Sequence, residues 1–144
     1  MTEPANHPPS GGVTLSTILV VDDEPFLREI LTQVLVGYRV ATADNGRIAV
    51  DMLRRARYDM VITDLMMPQV DGFTVLRTAK QVDASTDVLV ITGYLSAENE
   101  RHCRELGCLD VMAKPFSVAA VRATVDQCLG HRRAVGAGLR PTPP

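Results

Sequence analysis

Ile18-Leu19-Val20-Val21-Asp22-Asp23-Glu24-Pro25 is the stretch on which the fold turns. Four consecutive apolar residues without polar alternation read as a strand buried on both faces. The run stops in three acidic residues, Asp22 to Glu24. Pro25 follows, suited to the first position of a helix because its fixed φ is already helical and its missing N–H would lack a partner there anyway. Phe26, Leu27, Ile30, Leu31, Val34 and Leu35 then recur at helical spacing, and Gly37 can close that helix in a left-handed conformation. A buried strand, an acidic turn and an amphipathic helix make one strand–helix unit.

Working outward, the same unit repeats. Tyr38 to Thr42 predict a second strand, and Asp44 or Asn45 can cap a helix that carries Ala49, Met52, Leu53 and Ala56 inward. Met60, Val61 and Ile62 predict a third strand ending at Asp64, followed by a helix from Gly72 to Val82 with Phe73, Leu76 and Ala79 on one face. Val88 to Ile91 predict a fourth strand ending at Thr92, and Ser96 can cap the next helix. Leu109 to Ala113 predict a fifth strand, and Ser117 a last helix that buries Val118, Val121, Val125 and Leu129. Strands alternating with helices imply an α/β fold with a parallel sheet, because the crossovers are right-handed and lay the helices on both faces. The expected architecture is a flavodoxin-like (βα)5 doubly wound parallel sheet. Its order, 2-1-3-4-5, is taken over from sheets of that kind rather than read from these strands.

The 144 residues suit one domain with a core of its own, and 46% hydrophobic with 22% charged residues is ordinary for a globular chain. Residues 1–16 are rich in proline and glycine and too poor in apolar groups to offset the entropy of ordering, so they are expected to be a disordered tail. Residues 17–130 are the expected domain, and 131–144, with Gly136, Gly138, Pro141, Pro143 and Pro144, a flexible C-terminal tail. A net charge of -2 argues against electrostatic capture of nucleic acid or an anionic membrane. No apolar run approaches the ~18 residues of a membrane span, and the start lacks the pattern of a signal peptide. Cys103, Cys108 and Cys128 form no CxxC pair, which suggests neither a disulfide framework nor zinc but reduced thiols in a cytoplasmic protein. Arg132, Arg133 and Arg140 read as a solvated basic tail, and Met66 and Met67 as exposed loop residues.

In open parallel sheets ligands bind beyond the carboxyl ends of the strands. Asp22, Asp23 and Glu24 stand at the first such end, Asp64 at the third, Thr92 and Gly93 at the fourth, and Lys114 and Pro115 at the fifth. Each residue alone has an ordinary explanation: a turn former, a strand hydroxyl, a surface lysine. Their convergence at four separate strand ends is what points to chemistry. Two unit charges ~5 Å apart repel by ~3 kcal/mol at an effective dielectric of ~20. Lys114 offsets part of this, and a divalent cation would offset the rest. Hard oxygen donors with no histidine or cysteine nearby favour magnesium over zinc. A carboxylate beside magnesium can accept a phosphoryl group, with the ion, Lys114 and the Thr92 hydroxyl sharing the charge that develops.

Ile18 to Pro25 resembles the opening of response-regulator receiver domains of two-component signalling. So do Val61-Ile62-Thr63-Asp64-Leu65-Met66-Met67-Pro68 with Asp71-Gly72, then Val90 to Tyr94, then Ala113-Lys114-Pro115-Phe116. The resemblance spans about residues 16 to 130 and implies the following roles. Asp64 is the phosphoryl acceptor. Asp23 is a direct magnesium ligand, Asp22 acts through water, and the Met66 carbonyl is a third protein ligand. Lys114 pairs with the phosphate, Thr92 bonds to it, and Lys114-Pro115 is a cis peptide. The donor is a sensor histidine kinase or a histidine phosphotransfer protein, which docks on the first helix near Phe26, Leu27, Arg28 and Leu31. The output is a downstream protein target, with no direct DNA binding and no membrane contact expected. One departure stands out. Many receivers carry an aromatic residue three positions before the lysine, where this chain has Val111, so Tyr94 in the Thr92-Gly93-Tyr94 run is the candidate substitute in the switch.

Two other functional classes fit the sequence less well. A pseudo-receiver, binding partners without phosphorylation, is expected to have lost an acidic or lysine position, and none is lost. An aspartate-based phosphatase of the haloacid dehalogenase type needs a second aspartate two residues after the nucleophile, where Met66 stands. The chain is therefore read as a signalling module that catalyses only its own phosphorylation and dephosphorylation.

Overall fold

The apolar runs become five parallel strands, and the amphipathic stretches between them become helices that pack on both sides. A computed structural model describes residues 15–130. The expected tail at 131–144 lies outside the described residues, as does the one at 1–16 up to position 14. In chain order the elements are β1 Thr17–Val21, α1 Pro25–Val34, β2 Arg39–Ala43, α2 Gly46–Arg55, β3 Met60–Thr63, α3 Gly72–Val82, β4 Asp87–Thr92, α4 Ala97–Glu105, β5 Asp110–Ala113 and α5 Val118–Val125. A π-helical turn, Asp126–Gly130, extends α5. The sheet order is β2-β1-β3-β4-β5, all neighbours parallel, as expected.

The inner strands β1, β3 and β4 have no solvent face because each side of the sheet has its own core. Leu19, Val21, Val61, Val88 and Val90 pack with Ala49 and Leu53 of α2, Val75, Leu76 and Ala79 of α3 and Cys103 of α4. Their neighbours Ile18, Val20, Met60, Ile62, Leu89 and Ile91 point the other way, onto Leu31 of α1, Val121 and Val125 of α5, and Leu129. Alternate residues of one strand thus serve two cores, as the period of two requires. Burying each Leu, Ile or Val contributes ~1.5–3 kcal/mol, which is why these runs tolerate no polar residue.

The helix starts follow their caps. Pro25 opens α1. Asn45, rather than Asp44, accepts from the Ile48 N–H at the start of α2. Asp71, Ser96 and Ser117 accept in the same way from Thr74, Asn99 and Ala120. Gly37 takes the left-handed φ of +99° expected after α1.

Three expectations fail on packing. Val118, expected in the core, is 49% exposed, because the buried face of α5 begins at Val121. Ala56 is exposed because α2 ends at Arg55 and the chain turns extended there. Met67, expected to be exposed, is only 9% so, since it folds back into the α2–α3 core while Met66 faces out.

Candidate functional site

The sheet order brings the polar strand ends together. Beyond β1, the Asp22 N–H donates to the Ala43 carbonyl at 3.2 Å, and beyond β3 the Asp64 N–H donates to the Val21 carbonyl at 3.1 Å. Asp22 and Asp64 therefore continue adjacent strands and sit side by side. The Lys114 N–H likewise donates to the Thr92 carbonyl at 2.8 Å, fixing Lys114 beside the end of β4. Because β3 is central, Asp64 has the acidic turn on one side and Thr92 and Lys114 on the other.

The Lys114 ammonium reaches back across that edge. Nζ donates to Asp64 Oδ2, Asp22 Oδ2 and Glu24 Oε1, each at 2.9 Å. Asp64 Oδ1 accepts from the Leu65 N–H at 2.7 Å and from the Met66 N–H at 3.3 Å, which holds the carboxylate against the turn that follows β3. Asp22 Oδ1 accepts from the Glu24 N–H at 2.9 Å. Asp22 and Asp64 are buried and Asp23 is exposed. Burial pushes the Asp22 carboxyl above its ordinary pKa, with the Asp64 charge adding to the rise, and the Glu24 N–H and Lys114 only partly oppose it. Burial also works against the Lys114 charge, but its bonds to Asp64, Asp22 and Glu24 together outweigh that and raise its pKa.

Asp22, Asp23 and Asp64 each offer a carboxylate oxygen, all within 4.8 Å of one another. One ammonium cannot offset three carboxylates at that spacing, since each pair repels by ~3 kcal/mol at an effective dielectric of ~20. An acidic pocket with surplus negative charge and only hard oxygen donors fits a small divalent cation.

Thr92 is fully buried, and its hydroxyl accepts from the Tyr94 N–H at 3.0 Å. The Tyr94 carbonyl accepts from the Asn99 side chain at 2.7 Å, tying the loop to the first turn of α4. Gly93 has open space where a side chain would stand. The Tyr94 ring is 62% exposed, whereas Val111 packs against the α2–α4 core. Lys114-Pro115 is a cis peptide, as the resemblance implies.

The docking residues separate. Phe26 is 70% exposed and Leu27 half-buried. Leu27 and Ile30 line a groove of about 450 Å³ with Glu24, Lys114, Pro115, Phe116 and Val118. Leu31 is corrected: only 2% exposed, it belongs to the core between α1 and α5 and has no surface to offer a partner.

Two further residues, Glu24 of the acidic turn and Gly72 of the Asp71-Gly72 pair, shape the site in ways that the sequence pattern does not announce. Glu24 is a third anionic partner of Lys114. Gly72 opens α3 directly against the acceptor: an added Cβ would lie 1.9 Å from the Asp64 carbonyl oxygen. Its N–H donates to the Leu65 carbonyl at 2.8 Å. The Asp71-Gly72 pair was the only signal for it.

The sequence profile of the response regulator receiver domain matches residues 18–126. The transcriptional regulatory protein ZraR of Escherichia coli K12 is 34% identical over 122 residues, covering 83% of this chain and 28% of that protein. The chain thus spans little more than a quarter of that relative. Sporulation initiation phosphotransferase F of Bacillus subtilis is 34% identical over 114 residues, 78% of this chain and 92% of that protein. Among solved structures, the chemotaxis protein CheY4 of Vibrio cholerae superposes with a TM-score of 0.74 at 28% identity, over 80% of this chain and 99% of its own. No helix among the described residues is long and apolar enough to cross a membrane. The profile, the relatives and the order of the strands agree: this chain belongs to the response regulator receiver family and is a phospho-accepting signalling module of two-component systems.

Proposed function

We propose that Asp64 is the residue that takes the phosphoryl group, from a phosphohistidine on a sensor histidine kinase or a histidine phosphotransfer protein. The observation that carries this is the placement of the Asp64 carboxylate, 2.9 Å from Lys114 and within 4.8 Å of both Asp22 and Asp23. In the transfer, an Asp64 oxygen forms the bond to phosphorus while the bond from phosphorus to the histidine nitrogen breaks, and that nitrogen keeps the bonding pair. Lys114 is already at hand to take the phosphoryl charge, and the Thr92 hydroxyl lies one strand away. Asp22, Asp23, Asp64 and the Met66 carbonyl would hold magnesium, which supplies further positive charge to the phosphoryl oxygens. Incubation with magnesium and a small phosphodonor should add one phosphoryl group, and borohydride reduction should mark Asp64 as its site. A mark elsewhere, or uptake that persists in a chelator, would overturn the assignment.

The donor protein docks on Phe26, Leu27 and the groove between α1 and Phe116, with Arg28 at the edge of that surface. Leu27→Ala is expected to slow transfer from the donor protein several-fold and leave labelling by a small donor unchanged. Equal slowing with both donors would move the docking surface elsewhere.

The response passes through Thr92, Gly93 and Tyr94. Val111 offers no ring to swing inward, and the exposed Tyr94 ring with its open neighbour Gly93 has room to move. A structure with beryllofluoride on Asp64 should show the loop from Gly93 to Ala97 displaced and the Tyr94 ring turned. An unmoved loop would sink this idea. Output by protein contact at a downstream target, no turnover of other substrates and a cytoplasmic location complete the reading.

A further inference from the structure

Arg28 has the look of a surface charge on α1, but its guanidinium is committed inward. Nη1 donates to the Asp22 carbonyl at 2.7 Å, a short charge-assisted bond. The Arg28 N–H donates to the Glu24 carbonyl at 3.2 Å, the first helical bond of α1, which sets Arg28 one turn above the acidic residues and its side chain within reach of Asp22. The side chain is half-buried and lines a hollow of about 330 Å³ with Asp23, Pro25, Asp44, Asn45, Pro68 and Gln69. Among the described residues it makes no ion pair with a carboxylate, although Asp23 and Asp44 share its hollow. Its charge goes to a backbone oxygen instead.

We propose that Arg28 is a positioning residue for the metal site, tethering the turn that carries Asp22 and Asp23 so that both carboxylates face Asp64. The proposal rests on the magnesium reading above. The turn is only Asp22 to Glu24, between the end of β1 and the first residue of α1. Asp22, where the turn begins, is held on both sides of its own backbone: its N–H donates to the Ala43 carbonyl and its carbonyl accepts from Arg28, so the direction in which the chain leaves the sheet is set there. Magnesium demands near-ideal octahedral geometry, so a pair of ligands free to wander binds it poorly. Outer residues that orient metal ligands typically change affinity by ~10–100-fold.

Electrostatics alone gives the opposite sign. A positive group beside a cation site repels the cation, so a bystander arginine weakens binding and its removal tightens it. A tether strengthens binding and its removal loosens it.

The test is a magnesium titration by calorimetry on the full chain, comparing the parent with R28A, R28M, R28K and D23A. R28A is expected to weaken binding about tenfold. R28K, which keeps a donor able to reach the Asp22 carbonyl, should recover part of the loss. Labelling of R28A by a small donor should be slow at low magnesium and approach the parent rate when magnesium is raised, a recovery that a general loss of folding would not give. If R28A does not fold, R28M, which keeps the aliphatic stem, is read in its place. Binding by R28A and R28M as tight as the parent's, or tighter, overturns the tether. Binding in the parent that survives D23A overturns the metal assignment itself, and the tether with it. Loss in D23A with no change in R28A overturns the tether alone.

Discussion

Asp64→Asn is expected to abolish phosphoryl uptake from both a small donor and a protein donor. An amide oxygen carries no full negative charge and is a poor nucleophile toward phosphorus. The substitution also turns an N–H toward Lys114 Nζ or toward the donors at Leu65 and Met66, because the carboxylate now accepts on both oxygens. The chemistry is lost without loss of the fold, since Lys114 keeps Asp22 and Glu24 as partners. The expected fall is at least about a hundredfold, or ~2.7 kcal/mol of barrier. Intact-mass measurement after incubation with donor and magnesium reads it directly. Labelling of the variant to the extent of the parent would show that another residue accepts.

The second large effect is on stability. Gly72→Ala is expected to destabilise the domain by ~3 kcal/mol, at the upper end for overpacking. The added Cβ would lie 1.9 Å from the Asp64 carbonyl oxygen and 2.7 Å from both the Asp64 carbonyl carbon and the Leu65 Cα. All three are backbone atoms, so no side chain can rotate away. Either α3 retreats, breaking the bond from the Gly72 N–H to the Leu65 carbonyl, or the segment bearing the acceptor moves. Both routes also slow phosphorylation. Gly93→Ala is the control, because a Cβ there meets nothing within 4 Å. Denaturant unfolding should show a clearly lower midpoint for the first variant and a near-parental one for the second. Equal midpoints would mean that the contact at Gly72 relaxes without cost.

How much of this was legible in the sequence depended on whether a residue's role is local. Ile18 to Val21 announced a strand covered on both faces because every residue is apolar, and alternate members do enter opposite cores. Asp22, Asp64, Thr92 and Lys114 were legible because each ends a strand, and a parallel sheet gathers strand ends at one edge. Packing angles are not local. Phe26 and Leu31 share one helical apolar pattern, yet one is 70% exposed and the other 2%. Val118 fits the spacing of α5 but precedes the point where that helix touches the sheet. Met66 and Met67 are adjacent and chemically alike, and only the path of the loop decides which is covered. From the sequence Arg28 is only a docking residue and Glu24 only a member of the acidic turn, because their partners, a carbonyl six residues back and a lysine ninety residues on, cannot be inferred from neighbours.

The sheet, packed from both sides, also fixes where this protein can vary. In β3, and in β1 and β4 beyond their first residues, every side chain is buried; apart from Thr63, whose hydroxyl donates to the Asp64 carbonyl, each belongs to a core or to the site. A change there disturbs folding before it alters recognition. Any drift that retargets the protein to a different donor or output is therefore confined to the outer faces of its helices and to its loops, at positions such as Phe26, Leu27 and Tyr94. The interior can stay nearly constant while the circuit around it is rewired.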